Sequence, residues 1–112
     1  MVGENELSIP GRMLDLYALR HKLIAHNIAN AEVPGFRKLE AEFDGELRKA
    51  LSSNDPESSL KTLDLKVTRA AEQGVDTDSE VAEMGKNKLL YDTFAQIAQF
   101  RLRMLRAAIA AK

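Results

Sequence analysis

The chain has 112 residues, of which 45% are hydrophobic and 5% aromatic, with no Trp and no Cys. A chain of this length forms one domain at most, and the abundance of Leu, Ala, Ile and Met favours helices over sheets. Sixteen Lys and Arg against 17 Asp and Glu give a net charge of -1, so no overall field attracts nucleic acid or anionic lipid. The absence of Cys excludes disulfides, thiolate metal sites and cysteine nucleophiles. We therefore predict an all-α protein.

Residues 1–11 contain Gly3, Pro10 and Gly11 among polar neighbours, a composition that predicts a flexible leader. The segment has neither the basic start nor the apolar centre of a secretory signal peptide. No run in the sequence reaches the roughly 18 apolar residues that span a bilayer, so direct membrane insertion is not expected.

A first long helix is predicted over 12–33, where apolar residues recur at steps of three and four. His21 and His26 in this helix are five residues apart and point to different faces, so no shared metal site is expected. The members of the apolar stripe are Met13, Leu16, Tyr17, Leu23, Ile24, Ile28 and Ala31.

A forced turn ends this helix. Val33 precedes a proline, Pro34 has a fixed φ and no N–H, and Gly35 can adopt the positive φ that a type II turn requires. Asn27 and Asn30 lie three residues apart, where their amides can bond the last helical carbonyls or the reversing backbone. We expect these residues to organise a corner.

The corner resembles the Asn-x-Ala-Asn-x-x-Thr-Pro-Gly-Tyr-Lys motif of bacterial flagellar rod, hook and hook-associated proteins. Val33 replaces the Thr of the motif, which removes a hydroxyl that could bond the turn, but a β-branched residue still suits the extended backbone before proline. Asn-rich helix ends followed by Pro-Gly also occur in unrelated proteins, which is the alternative interpretation. The matching residues are Asn27, Ala29, Asn30, Pro34 and Gly35, with Phe36 and Arg37 as conservative replacements.

Residues 34–73 are predicted to form an irregular insert with a short helix near 40–51. Phe43 and Leu47 in this helix resemble the Phe-x-x-x-apolar pattern that the export gate recognises in rod and hook subunits. Any amphipathic helix contains such pairs, so ordinary packing is the alternative explanation.

The second half of the insert is more polar. Residues 52–59 have the composition of an exposed loop. Leu63, Leu65 and Val67 then alternate with polar residues, which predicts a short strand without a partner in this chain.

A second long helix is predicted within 74–112, starting at a capping box formed by Thr77 and Glu80. Its length of about 50 Å and its several apolar stripes exceed what one partner helix can cover. We predict that it pairs with helix 12–33 as an axial coiled coil and that the remaining stripes bind other subunits. A monomeric three-helix bundle closed by the insert is the alternative. The seam of this helix consists of Val81, Met84, Tyr91, Ala95, Ala98, Leu102, Leu105 and Ile109.

The same region is similar to the C-terminal helix of flagellar basal-body rod proteins, which have the patterns Gly-x-x-Val-Asp, Met-x-x-Asn-x-Leu-x-Tyr and Leu-Arg-x-Ala-Ile. The separation of Gly74 from Asp76 is shorter than in that family. The two resemblances together cover about half the chain and leave the insert unaccounted for. The matching residues are Gly74, Val75, Asp76, Met84, Asn87, Leu90, Tyr91, Leu105, Arg106, Ala108 and Ile109.

No motif for enzymatic chemistry is found: the sequence has no phosphate-binding loop, no His-Glu-x-x-His and no serine elbow. We therefore expect no enzyme, no cofactor, no metal and no small-molecule substrate. The basic end of the last helix suits its C-terminal dipole, so nucleic-acid binding is not expected either. These basic residues are Arg101, Arg103, Arg106 and Lys112.

The resemblance implies a structural subunit of the proximal rod of the flagellar basal body, periplasmic after export by the flagellar type III apparatus. Its partners would be itself, other rod proteins and that apparatus. We predict assembly through Ile24 and Ile28 of the first helix and through the seam of the second. The alternatives are another flagellar axial subunit, or a cytoplasmic helical adaptor or DNA-binding protein with the same periodicities.

Overall fold

Two long terminal helices dominate the structure, a computed structural model that describes the backbone of residues 2–111 and the side chains of residues 8–111. The molecule is elongated, with extents of 62 × 26 × 15 Å. The first and last helices pack together in antiparallel directions, which confirms the predicted helical class. The elements in chain order are α1 (Val2–Ala29), β1 (Leu39–Ala41), α2 (Phe43–Leu51), α3 (Pro56–Lys61), β2 (Val67–Arg69) and α4 (Thr77–Ala110).

Helix α1 begins about ten residues earlier than the sequence pattern predicts. Residues 2–11, predicted as a flexible leader, are helical, and residue 1 lies outside the described part of the chain. Pro10 sits inside the helix and its side chain is buried. A proline ring is compatible with helical φ but costs one backbone hydrogen bond. The tertiary contacts that bury Pro10 offset this cost, and a local pattern does not reveal them.

The predicted strand is present only from Val67 onward, since β2 covers Val67–Arg69 and Leu63 and Leu65 lie before it, and it has a partner, which corrects the expectation that it stands alone. β1 and β2 pair in antiparallel fashion, with Glu40 opposite Thr68. The ladder is extended by the bond from the Ala70 amide to the Lys38 carbonyl, 2.9 Å long. The corner after α1 directs the chain along the path that creates β1, so this pairing depends on tertiary geometry.

The insert supplies most of the closed hydrophobic core, although much of its sequence is polar. Residues 52–59, predicted as a loop, include the start of α3, whose first turn is capped by the Asp55 side chain at the Ser58 amide. α3 places Leu60 in the core with 1% exposure. Arg12 of α1 donates to the carbonyls of Leu60 and Leu63, holding α3 against α1. The core cluster comprises Met13, Leu16, Tyr17, Phe43, Leu47, Ala50, Leu60 and Leu65.

Helix α4 begins at Thr77, but with a different cap from the predicted one. Asp76 is the N-cap, and its Oδ1 accepts from the Ser79 amide at 3.3 Å. Glu80 does not bond back to Thr77 as the predicted capping box requires; its carboxylate pairs with Lys38 instead. An Asp one residue earlier caps the Ser79 amide instead, which leaves the Glu80 side chain available for a tertiary contact.

Candidate assembly surface

The corner after α1 is held by Asn27, which is 2% exposed. Its Nδ2 donates to the Leu39 carbonyl at 2.9 Å, and its Oδ1 accepts from the Leu39 amide at 2.8 Å. One side chain thus joins the end of α1 to the outer edge of β1 in the way a neighbouring strand would. Asn27 therefore fixes the direction in which the insert leaves the helix.

The remaining motif residues form the exposed side of the same corner. Asn30 Nδ2 donates to the His26 carbonyl at 2.8 Å, which satisfies one of the last carbonyls of α1. Gly35 has φ 77°, the left-handed conformation that its position in the turn requires. The Phe36 ring lies 5.6 Å from the His26 ring in a tilted arrangement and 5.5 Å from the Arg69 guanidinium. Ala29 ends the helix, and Pro34 and Val33 are exposed.

Two ion pairs tie the corner region to the start of α4. Arg20 Nη2 lies 2.7 Å from Glu83 Oε2, and the same guanidinium is 3.5 Å from Asp44 Oδ1. Lys38 Nζ lies 3.2 Å from Oε1 of Glu80, whose side chain is only 9% exposed. α1, α2, β1 and α4 are therefore connected by charged side chains at one end of the molecule.

A polar contact lies inside the α1–α4 interface itself. Asn87 is 1% exposed, and its Nδ2 donates to the Tyr17 carbonyl at 2.9 Å, while its Oδ1 has no partner among the described residues. Tyr17 contacts the rings of Phe43 and Phe94 at 5.1 and 5.7 Å. Burial and the nearby Asp44 raise the pKa of the Tyr17 hydroxyl above its ordinary value of 10.0, against a smaller opposing effect of Arg20.

Helix α4 buries no apolar side chain fully. Its buried residues are Glu80 and Asn87, both polar, whereas every apolar residue of the core comes from α1 or the insert. A 34-residue helix of about 51 Å with so much apolar sequence therefore has a closed core on only part of its length.

The exposed apolar side chains of α4 define the candidate surface. Leu89, Phe100 and Met104 are 67%, 56% and 58% exposed and share one face by helical spacing; we call them the outer stripe. Val81, Tyr91 and Ile109 are exposed on other faces. Exposed apolar surface of this kind in a soluble chain marks an interaction site.

The predicted interface residues are distributed over three environments. Ile24 is 5% exposed and belongs to the interior of the chain, so it is not available to another subunit in this conformation. Val81, Tyr91 and Ile109 are exposed. The remaining predicted residues are half-buried: Ile28, Met84, Ala95, Ala98, Leu102 and Leu105.

The outer stripe belongs to the apolar surface that the sequence predicted beyond the seam, although its residues are not among the interface residues named there. The inner face of α4 is marked by Asn87, Leu90 and Phe94, none of which belongs to the predicted heptad seam. Leu89 and Phe100 are visible in the sequence as a further apolar stripe, and this excess over the seam is the signal that identifies them.

The possible export-gate pair is inside the fold. Phe43 and Leu47 are 5% and 8% exposed and lie in the core cluster. Packing accounts for both residues in the folded state, and recognition by an export gate would need this part of the chain to be unfolded. Their role in export stays a prediction.

Other kinds of site receive no support from the described residues. None of the helices in residues 2–111 has the length and hydropathy of a transmembrane segment. Within the same range, no group of three or more His, Asp and Glu side chains could hold a metal ion.

Comparison with known proteins agrees with the two motifs. No protein-family profile matches the chain. Flagellar basal body rod protein FlgB of Borrelia hermsii is 27% identical, over 96% of this chain and 98% of that protein. Flagellar basal body rod protein FlgB of Borreliella burgdorferi is also 27% identical, over 84% of this chain and 87% of its own length.

These matches extend over the insert, which the motifs left unaccounted for. The names of both proteins denote a rod protein of the flagellar basal body. The chain is therefore similar, over most of its length, to flagellar basal body rod protein FlgB, the kind of protein that the motifs of its two long helices predicted.

Proposed function

We propose that this chain is a structural subunit of the proximal rod, exported by the flagellar type III apparatus and assembled by helix packing to support motility. In this proposal it resides in the basal body, reaches the periplasm by export, and contacts copies of itself and other rod proteins. The observation that carries the proposal is that α4 exposes the outer stripe while burying no apolar residue of its own.

The energetics favour assembly over an isolated existence. Burying apolar surface stabilises by about 25 cal/mol per Å², and large side chains such as Leu89 and Phe100 contribute only when a neighbour covers them. A small chain has a thin margin of stability, so covering α4 in a tube would add to it substantially.

The shape of the molecule suits such a tube. The paired helices form a long axial unit, whereas the insert bulges from one side near one end, held by Asn27 and Arg20. The α1–α4 pairs of neighbouring subunits can lie side by side and form a continuous wall, since each pair has an exposed apolar side.

Replacing Phe100 with Asp tests the proposal in a strain that depends on this protein. Phe100 is exposed, so the free chain should fold normally and be exported, but a charge buried without a partner between subunits should block rod formation and motility. Secretion into the medium, rods in purified basal bodies and swimming are the measurements.

Gln99→Asp is the matched control, since it introduces the same charge at an exposed neighbouring position on a different face. Motility should survive this change. Swimming and normal rods in the Phe100→Asp strain would contradict the packing surface. A chain that stays in the cytoplasm of a strain with an intact export apparatus would instead favour a cytoplasmic helical adaptor.

A further inference from the structure

Charge is segregated along α4. Beyond Asp92 the helix carries no carboxylate up to the end of the described residues, but it carries Arg101, Arg103 and Arg106. Arg103 and Arg106 are exposed and make no hydrogen bond or ion pair within the described part of the chain. The far end of α4 is therefore a basic helix end that also exposes the outer stripe residues Phe100 and Met104.

The opposite end of the molecule contains an acidic cleft, a groove of about 570 Å³ between α1, β1, α2 and the start of α4. Most of its lining is polar, and the apolar part of its floor includes Leu39, Ala41 and Phe43. Its charged lining has five carboxylates, on Glu40, Glu42, Asp44, Glu80 and Glu83, against three cations, on Arg20, Lys38 and Lys86.

The negative excess of the cleft lies on its rim. Glu80 and Glu83 are paired with Lys38 and Arg20 at the bottom of the groove. Glu40 and Glu42 are exposed and have no hydrogen bond or ion pair among the described side chains. The guanidinium or ammonium group of an incoming Arg or Lys would therefore meet two unpaired carboxylates. Its aliphatic carbons would lie on the apolar part of the floor.

The basic end of a chain cannot reach its own cleft. Arg103 lies 20 residues after Glu83 on one helix, a distance of about 30 Å at the helical rise. The helix is continuous over that span, so the two surfaces can meet only between different molecules.

We infer that the end of α4 in one copy, residues 100–110, docks into the acidic cleft of a second copy. Arg103 and Arg106 pair with Glu40 and Glu42, and the neighbouring apolar side chains cover the cleft floor. This inference rests on the proposed rod function and names a specific partner surface for it. Such a contact uses two different patches, so it joins subunits head to tail into a ring or an open helical series, and the open series is the symmetry that a rod requires.

The test uses the purified full chain and measures its association by sedimentation at low and high salt. Wild-type protein should self-associate at low salt and dissociate as salt shortens the screening length from about 10 Å at 0.1 M to about 3 Å at 1 M. The double variant Arg103→Glu, Arg106→Glu should have a dissociation constant for self-association that is about tenfold higher or more. Mixing this variant with a second double variant, Glu40→Lys, Glu42→Lys, should restore association, because the reversed charges are again complementary.

The matched control is Lys49→Glu with Lys61→Glu, which changes the net charge equally at exposed positions outside the cleft. Its association should equal that of the wild type. A wild-type chain that stays monomeric at low salt at its highest soluble concentration overturns the inference. So does a mixture of charge-swapped variants that associates no better than either variant alone.

A strain experiment separates this inference from the proposed function. Normal rods in a strain with Arg103→Glu and Arg106→Glu would contradict the docking of α4 into the cleft and leave a rod function intact. Normal rods after deletion of the whole gene would contradict the rod function itself.

Discussion

The two ends of α4 are both amphipathic, but they differ in how much of their apolar surface the rest of the chain covers. We call residues 9–94 the head, because the insert packs around α1 and the start of α4 there, and residues 95–111 the stem. In the head, Leu90 and Phe94 pack against a closed core. In the stem, Phe100, Met104 and Ile109 are more than half exposed. One helix thus packs on a closed core at one end and leaves large apolar side chains exposed at the other.

The difference indicates that the head stabilises the fold, whereas the stem supplies the surface for assembly. The head has buried apolar side chains, the ion pairs of Arg20 and Lys38, and the hydrogen bonds of Asn27 to hold it together. The stem has exposed large apolar side chains, and its other apolar residues are not fully buried. A subunit built in this way can keep its fold while free and gain further order when neighbours cover the stem.

Hydrogen exchange should give the largest contrast between head and stem. On a verified dilute monomer, we expect the amides of residues 102–111 to exchange almost freely, whereas those of residues 80–94 should need about 3–5 kcal/mol or more of opening free energy. Mass spectrometry or NMR of the exchanging amides measures this. Strong protection throughout 78–110 would contradict assembly-coupled ordering and favour a self-contained bundle.

Leu60→Ala should weaken the head by about 2–5 kcal/mol in the free energy of unfolding, because it leaves a cavity at a side chain that is 1% exposed. Denaturant titration of the monomer measures the change. Leu89→Ala, the same substitution at a 67% exposed position, should change the value by only about 0.5 kcal/mol or less. Equal losses in the two variants would mean that the closed core and the outer stripe are not energetically distinct.

Asn27→Ala should cost about 1–3 kcal/mol, because the Leu39 amide and carbonyl lose their partner at the base of the insert. Asn30→Ala removes a single exposed hydrogen bond to His26 and should cost less. Denaturant midpoints of the two variants provide the comparison. A larger loss for Asn30 than for Asn27 would argue against Asn27 as the residue that holds the corner.

Tyr17 should give the smallest effect, a loss of head stability at high pH. Its pKa is raised in the folded state, chiefly by desolvation, so folding favours the protonated hydroxyl. The stabilisation is present below the ordinary pKa of about 10 and is lost as pH rises beyond it. Tyr17→Phe should reduce this alkaline dependence of the melting temperature, and Tyr91→Phe, at an exposed position, serves as the control. An unchanged dependence in Tyr17→Phe would refute this assignment.

The sequence alone determined the local and periodic features of this protein. The spacing of apolar residues predicted both long helices, because one face of each must meet a core every three or four residues. The Pro-Gly pair predicted the end of α1, since the backbone of Val33, Pro34 and Gly35 has few other choices. The excess of apolar stripes on α4 indicated a helix that its own chain covers only in part.

Only the tertiary structure decided which of these surfaces is closed. The pairing of β1 with β2, the burial of Leu60 by a polar segment, and the assignment of Ile24 to the interior all join residues far apart in the chain. No local pattern encodes such partners. Local sequence sets the conformation of each segment, whereas burial depends on which segments the corner at Asn27 brings together.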